Sequence, residues 1–103
     1  MSEWVTVAAA GDLTEGESME YDHRGEPICI ARTSAGLFAF DGWCSHEECP
    51  LWEGTLTDTE VECYCHGSMF DMRSGEALTG PAVESIATYA VREQDGEIQL
   101  QLS

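Results

Sequence analysis

Residues 60–71 read EVECYCHGSMFD. Apolar and polar side chains alternate through EVECY, the period of a strand with one buried face. The alternation runs straight into Cys63, Cys65 and His66. A strand that ends in thiols and an imidazole can aim those donors from one tight turn at a single centre, the arrangement metal sites favour.

Upstream, residues 44–49 read CSHEEC. Together the two stretches parse as Cys44-x-His46 and Cys63-x-x-His66 with sixteen residues between them, leaving Cys49 and Cys65 outside the pattern. Each loop therefore offers one thiolate and one imidazole. Tetrahedral zinc accepts the same four donors, but zinc modules usually group like with like, CxxC followed by HxxxH. One cysteine and one histidine from each of two facing loops suits a [2Fe-2S] cluster of the mixed type, with both cysteines on one iron and both histidines on the other.

Away from the donors the chain shows almost no helical periodicity. WVTVAA (4–9), SMEYD (18–22), PICIAR (27–32), GLFAFD (36–41), EVECY (60–64), SMFDM (68–72), SIATYAVRE (85–93) and EIQLQL (97–102) read as short strands rich in β-branched and aromatic residues. Arg24-Gly25-Glu26-Pro27, Arg73-Ser74-Gly75 and Asp95-Gly96 supply turns, and one helical turn is expected near residues 10–13. The expectation is an all-β chain: a small antiparallel barrel or sandwich interrupted by a loop-rich insertion at about 42–82. At 103 residues it is one domain, with a basal part at 1–41 and 83–103 and a cluster-binding part at 42–82.

The boxes CSH and CYCHGSMFD resemble the CTH and CPxHGxxFD boxes of Rieske-type ferredoxins. LWEGTL matches the segment between them, and SGEALTGPA resembles the TGxxxxGPA stretch that follows. The likeness runs from about Gly36 to the C terminus. It implies one Rieske cluster, with Cys44 and Cys63 on the buried iron, His46 and His66 on the outer iron, and Gly80-Pro81 in a third covering loop. It also implies a one-electron carrier, not an enzyme, passing electrons from a NAD(P)H-dependent flavin reductase to the terminal oxygenase of an aromatic-ring dioxygenase. CSHEEC and CYCHGS further resemble the respiratory Rieske version, which joins its extra cysteines in a disulfide; that likeness implies a Cys49–Cys65 bridge, the alternative being two buried thiols. Ser68 matches the serine that bonds a bridging sulfide in respiratory Rieske proteins, and Phe70 stands where they carry a tyrosine bonded to a cysteine sulfur.

Formal charges explain the ligand choice independently. Two ferric irons, two sulfides and two thiolates sum to zero when both imidazoles are neutral, whereas four thiolates leave a dianion. The neutral cluster accepts an electron more readily: Rieske centres span roughly −150 to +300 mV against about −400 mV for plant-type ferredoxins. The likeness of Ser68 to the respiratory serine implies a raised potential, while Glu47 and Glu48 place negative charge beside His46 and lower it. The expected value lies between those of dioxygenase ferredoxins and respiratory Rieske proteins.

Twenty acidic side chains against four basic ones give a formal net charge of −16. Such a surface repels nucleic acid and anionic membranes and steers encounter with a basic partner, with Glu47 and Glu48 the candidate docking residues. The opening residues carry no basic n-region, and no run of about 18 apolar residues occurs, so no signal peptide or membrane span is expected and a cytoplasmic monomer is. No Ser-His-Asp set, phosphate-cradling loop or dinucleotide fingerprint is present. Cys29 reads as an inert core residue, His23 as a surface turn residue, Met69 and Met72 as core filling; Trp43 and Trp52 read either as a docking surface or as packing under the loops. The competing functions are a small Rieske subunit of a larger redox enzyme, such as a nitrite reductase, and a zinc-stabilised binding module.

Overall fold

The computed structural model describes residues 3–45, 48–65, 67–80 and 82–102. Four strands open the chain: β1 (Trp4–Ala9), β2 (Glu17–His23), β3 (Glu26–Thr33) and β4 (Gly36–Asp41). Each is a run of branched or aromatic residues that fits a pleated, half-buried surface. A single 3-10 turn, Ala10–Asp12, follows β1, where a helical turn is expected from the sequence.

β2 and β3 pair in full antiparallel register from Glu17↔Arg32 to His23↔Glu26. Arg24 and Gly25, both at positive φ, close that hairpin in two residues. The last hairpin, β9 (Thr88–Gln94) with β10 (Glu97–Gln101), repeats the device: Asp95 and Gly96 have φ of 54° and 77°, the left-handed pair that matches the twist of the flanking strands. The first four strands and the last two form one six-stranded antiparallel sheet in the order β1-β10-β9-β4-β3-β2.

Between β4 and β9 lies a second, four-stranded antiparallel sheet of very short strands, β5 (Thr55–Leu56), β6 (Glu60–Glu62), β7 (Met69–Asp71) and β8 (Ala77–Thr79), preceded by the 3-10 turn Leu51–Glu53. The all-β class and antiparallel pairing expected from the sequence hold.

β3 joins the two halves. Ile28 and Ile30 pack with Ile98 and Leu100 of β10, so the six-stranded sheet curls until its two ends share one core. Cys29 and Ala31 point the other way and pack with Phe40, Leu51, Val61, Cys63, Phe70 and Met72. Burial on both faces explains why PICIAR reads as an almost continuous apolar run instead of a clean alternation.

Candidate metal centre

The first donor loop leaves β4 at Asp41. The Asp41 N–H donates to the Ala87 carbonyl at 2.9 Å, while its carboxylate accepts the Ala87 N–H and the Tyr89 hydroxyl, each at 2.9 Å. One residue thus fixes both the exit of β4 and the return of the chain towards β9. Burial, then the neighbouring Asp41, pushes the Tyr89 phenol up to about 12, so it remains a donor. Gly42 continues the anchoring, donating to the Pro27 carbonyl at 2.9 Å and accepting from the Leu51 N–H at 2.7 Å. The Cys44 N–H then donates to the Cys49 carbonyl at 3.0 Å and closes the loop on itself.

The second donor loop is the β6–β7 connection. Cys63 N–H donates to the Ser68 carbonyl at 2.8 Å, and the Gly67 N–H returns to the Cys63 carbonyl at 2.9 Å. The strand expected through Tyr64 therefore stops at Glu62, because Cys63 already turns the chain back. Cys44 and Cys63 are 4% and 1% exposed, at the edge of the apolar cluster holding Leu51, Val61 and Phe70. His46, Glu47, His66 and Pro81 lie outside the described residues.

A Cys49–Cys65 disulfide ties the two loops, with a Cα–Cα distance of 6.4 Å. A third segment is tied in by side chains. Ser68 is fully buried, and its Oγ accepts the Ala82 N–H at 3.0 Å, which leaves the hydroxyl proton to donate. Ser45 Oγ donates to the Glu84 carbonyl at 2.6 Å. Gly75 sets the approach to this segment: its N–H donates to Asp71 and its carbonyl accepts from Ile86, at 2.7 and 2.8 Å. A side chain there would overlap the Ile86 carbonyl oxygen and would have to adopt φ +82°.

The donor chemistry fits an iron–sulfur group. Two cysteines are withdrawn from water on separate, cross-braced loops, and the second loop also carries the fully buried Ser68, whose hydroxyl keeps a proton to donate. Phe70 is fully buried in the core, Gly80 is exposed at the end of β8, and Glu48 is exposed in the first loop. Exposed apolar side chains gather on the same segments: Trp43 beside Cys44, Tyr64 beside Cys63, Leu78 on β8 and Val83 after Ala82, the last two 43% and 87% exposed.

The two tryptophans take different roles. Their ring centroids are 5.3 Å apart, but Trp52 packs against the core while Trp43 faces outward. Met72 fills the core as expected and Met69 is half-buried. Cys29 is completely buried and its thiol is pushed up to about 12 by that burial, which makes it unreactive. His23 lines a cleft of about 490 Å³ with Arg24, Tyr89 and Leu102, none of them on the donor loops. The sequence reading missed Asp41 and Ser45, the braces of the first loop. Their only signal is a polar residue on either side of Gly-Trp-Cys, a pattern too common to single out.

A family model of the Rieske [2Fe-2S] domain matches residues 3–90. The chain belongs to the Rieske [2Fe-2S] family. Membership implies a [2Fe-2S] cluster. This Rieske chain is 32% identical to the ferredoxin component of biphenyl 2,3-dioxygenase of Rhodococcus jostii (strain RHA1), over 93% of its own length and 90% of the relative's. Its fold matches the ferredoxin of carbazole 1,9a-dioxygenase from Nocardioides aromaticivorans IC177 with a TM-score of 0.88 at 29% identity, covering 94% of this chain and 95% of that one. It also matches, with a TM-score of 0.88 at 27% identity over 95% and 92% of the two chains, a structure described as a complex of reduced oxygenase and oxidized ferredoxin in carbazole 1,9a-dioxygenase. Like these relatives, the Rieske chain is a ferredoxin component, an electron carrier and not itself a catalyst. No helix among the described residues is long and apolar enough to cross a membrane.

Proposed function

We propose that this chain carries single electrons, in the cytoplasm and as a monomer, from a flavin-dependent NAD(P)H reductase to the terminal oxygenase of an aromatic-ring dioxygenase. Its whole length forms one Rieske domain with a basal part at 1–41 and 83–103. In this reading Cys44 and Cys63 hold the inner iron of the cluster and His46 and His66 the outer one. A Rieske cluster supplies a site that takes up one electron and gives it back.

The observation that carries the reading is the pair of buried cysteines on two loops braced by a disulfide, Ser68 and Asp41. The chain's own residues then do three things. Asp41, Ser45 and the Cys49–Cys65 bridge hold the donor loops still, so little rearrangement accompanies a change of charge. Ser68, whose Oγ accepts the Ala82 N–H, would give its own proton to the cluster and favour the extra electron. Tyr64, Val83 and Trp43 offer apolar contact at the donor end of a chain of charge −16, which suits brief docking on an apolar socket with a basic rim. Gly80 and Pro81 belong to the third covering loop, Phe70 contributes packing without a hydroxyl, and Glu47 and Glu48 lie on the docking rim.

The test is the EPR spectrum of anaerobically purified, dithionite-reduced protein, with iron and acid-labile sulfide measured on the same sample. A rhombic signal with an average g below that of all-cysteine ferredoxins, and two irons and two sulfides per chain, is the expected result. Zinc without sulfide and an EPR-silent sample would overturn it in favour of a structural metal module.

A further inference from the structure

The sulfurs of Cys49, Cys63 and Cys65 all lie within 4.8 Å of one another. Two of them are already joined, so the trio is a disulfide with a third cysteine sulfur at its side and not a set of three metal donors. We propose that these cysteines form an exchange triad, in which the Cys63 sulfur attacks the Cys49–Cys65 disulfide whenever the chain lacks its cluster and so closes the chain to cluster loading. The inference rests on the reading of Cys63 as an iron ligand.

Exposure sets the direction of the exchange. Cys49 and Cys63 are each 1% exposed, whereas Cys65 faces solvent. Attack at Cys49 Sγ expels the Cys65 thiolate into water. Attack at Cys65 would instead leave a Cys49 thiolate among Leu51, Val61 and Phe70, where an unpaired charge is costly, and would close a cramped ring between residues two apart. In the favoured step the Cys63–Cys49 bond forms as the Cys49–Cys65 bond breaks, and the proton of the Cys63 thiol passes to the departing Cys65 sulfur. No electron enters or leaves.

The product still links the same two loops. The Cys63 sulfur, however, is no longer a donor. A small dithiol reverses the block by supplying two electrons and two protons, returning the bonded cysteines to thiols. Loading thus becomes dependent on a reducing thiol pool.

The experiment compares the iron-loaded protein with the same protein stripped of iron by a chelator under anaerobic, neutral conditions. Both are alkylated with iodoacetamide and mapped by mass spectrometry of non-reduced peptides. The stripped chain is expected to carry its label on Cys65 with Cys49 joined to Cys63, and to lose uptake of added ferrous iron and sulfide until dithiothreitol is present. The loaded chain is expected to retain Cys49–Cys65. A stripped chain that keeps Cys49–Cys65 and is labelled on Cys63 would overturn the triad. The ligand reading fails separately, if Cys63→Ser retains full iron and sulfide with an unchanged EPR signal, or if Cys63 is already disulfide-bonded in the loaded protein.

Discussion

The two sheets differ in how they are held. In the large sheet β2 and β3 pair over seven positions and β3 and β4 over six, through two-residue or similarly tight turns. In the small sheet β5–β6 and β7–β8 each pair over two positions and β6–β7 over three. Strands that short are not stable alone. The small sheet instead relies on a disulfide, buried serine and glycine contacts, and packing against one face of β3. Ladders and hairpins are written into local sequence, whereas cross-links depend on residues far apart in the chain. The loops proposed to hold the cluster sit on the half that depends on cross-links.

Removing the disulfide tests that contrast most strongly. Cys49→Ser with Cys65→Ser opens a loop of sequence separation 16 and is expected to cost about 3 kcal/mol. Amide hydrogen exchange should show the loss of protection in β5 to β8, with β2, β3 and β4 nearly unchanged; equal loss in both sheets would mean they unfold as one unit. Next in size is a pair of glycines. Gly75→Ala places a methyl group against the Ile86 carbonyl and is expected to destabilise by about 2 kcal/mol or more. Gly96→Ala, at φ +77° in open space, should cost about 1 kcal/mol. Urea unfolding of the two variants ranks them, and the reverse order would contradict the packing assigned to the small sheet.

A separate expectation concerns alkaline stability. The Cys29 thiol is held at about 12 in the fold by burial against an ordinary 9.0, and the Tyr89 phenol at about 12 against 10.0. Both folded values are raised, so both groups ionise first in the unfolded chain. Their contribution is complete below pH 9.0 and declines as pH rises towards about 12. Thermal unfolding followed across that range should show the decline, and Cys29→Ala should delay its onset towards pH 10.0, where Tyr89 alone begins to act. A flat profile would show that the junction between the sheets is not closed to solvent.

The strands of the large sheet were legible because each is long enough to show its period: WVTVAA and GLFAFD coincide with β1 and β4, and the Asp95-Gly96 turn is where its dipeptide places it. β5 and β8, at two and three residues, carry no readable period. SIATYAVRE reads as strand from Ser85, but β9 begins at Thr88, because Ala87 spends both its backbone groups on the single residue Asp41 and forms no ladder. Within the site, the spacing of Cys44, His46, Cys63 and His66 raised the expectation of a mixed-ligand cluster, and the Cys49–Cys65 pairing found in the structure came from resemblance to a family. The braces at Asp41, Ser45 and Gly75 were invisible, since each acts on a backbone group that only the folded chain brings near.

β2 lies at one margin of the large sheet and, among the described residues, has β3 as its sole ladder partner there. An unpaired strand margin invites a second chain to extend the ladder, a route to aggregates. Here that margin bears Glu17, Glu20 and Asp22, all exposed in the strand. Two copies approaching margin to margin would bring two rows of carboxylates together. The acidity that suits the chain to a basic partner therefore also guards its sheet against itself, and this protection should weaken in acid or concentrated salt.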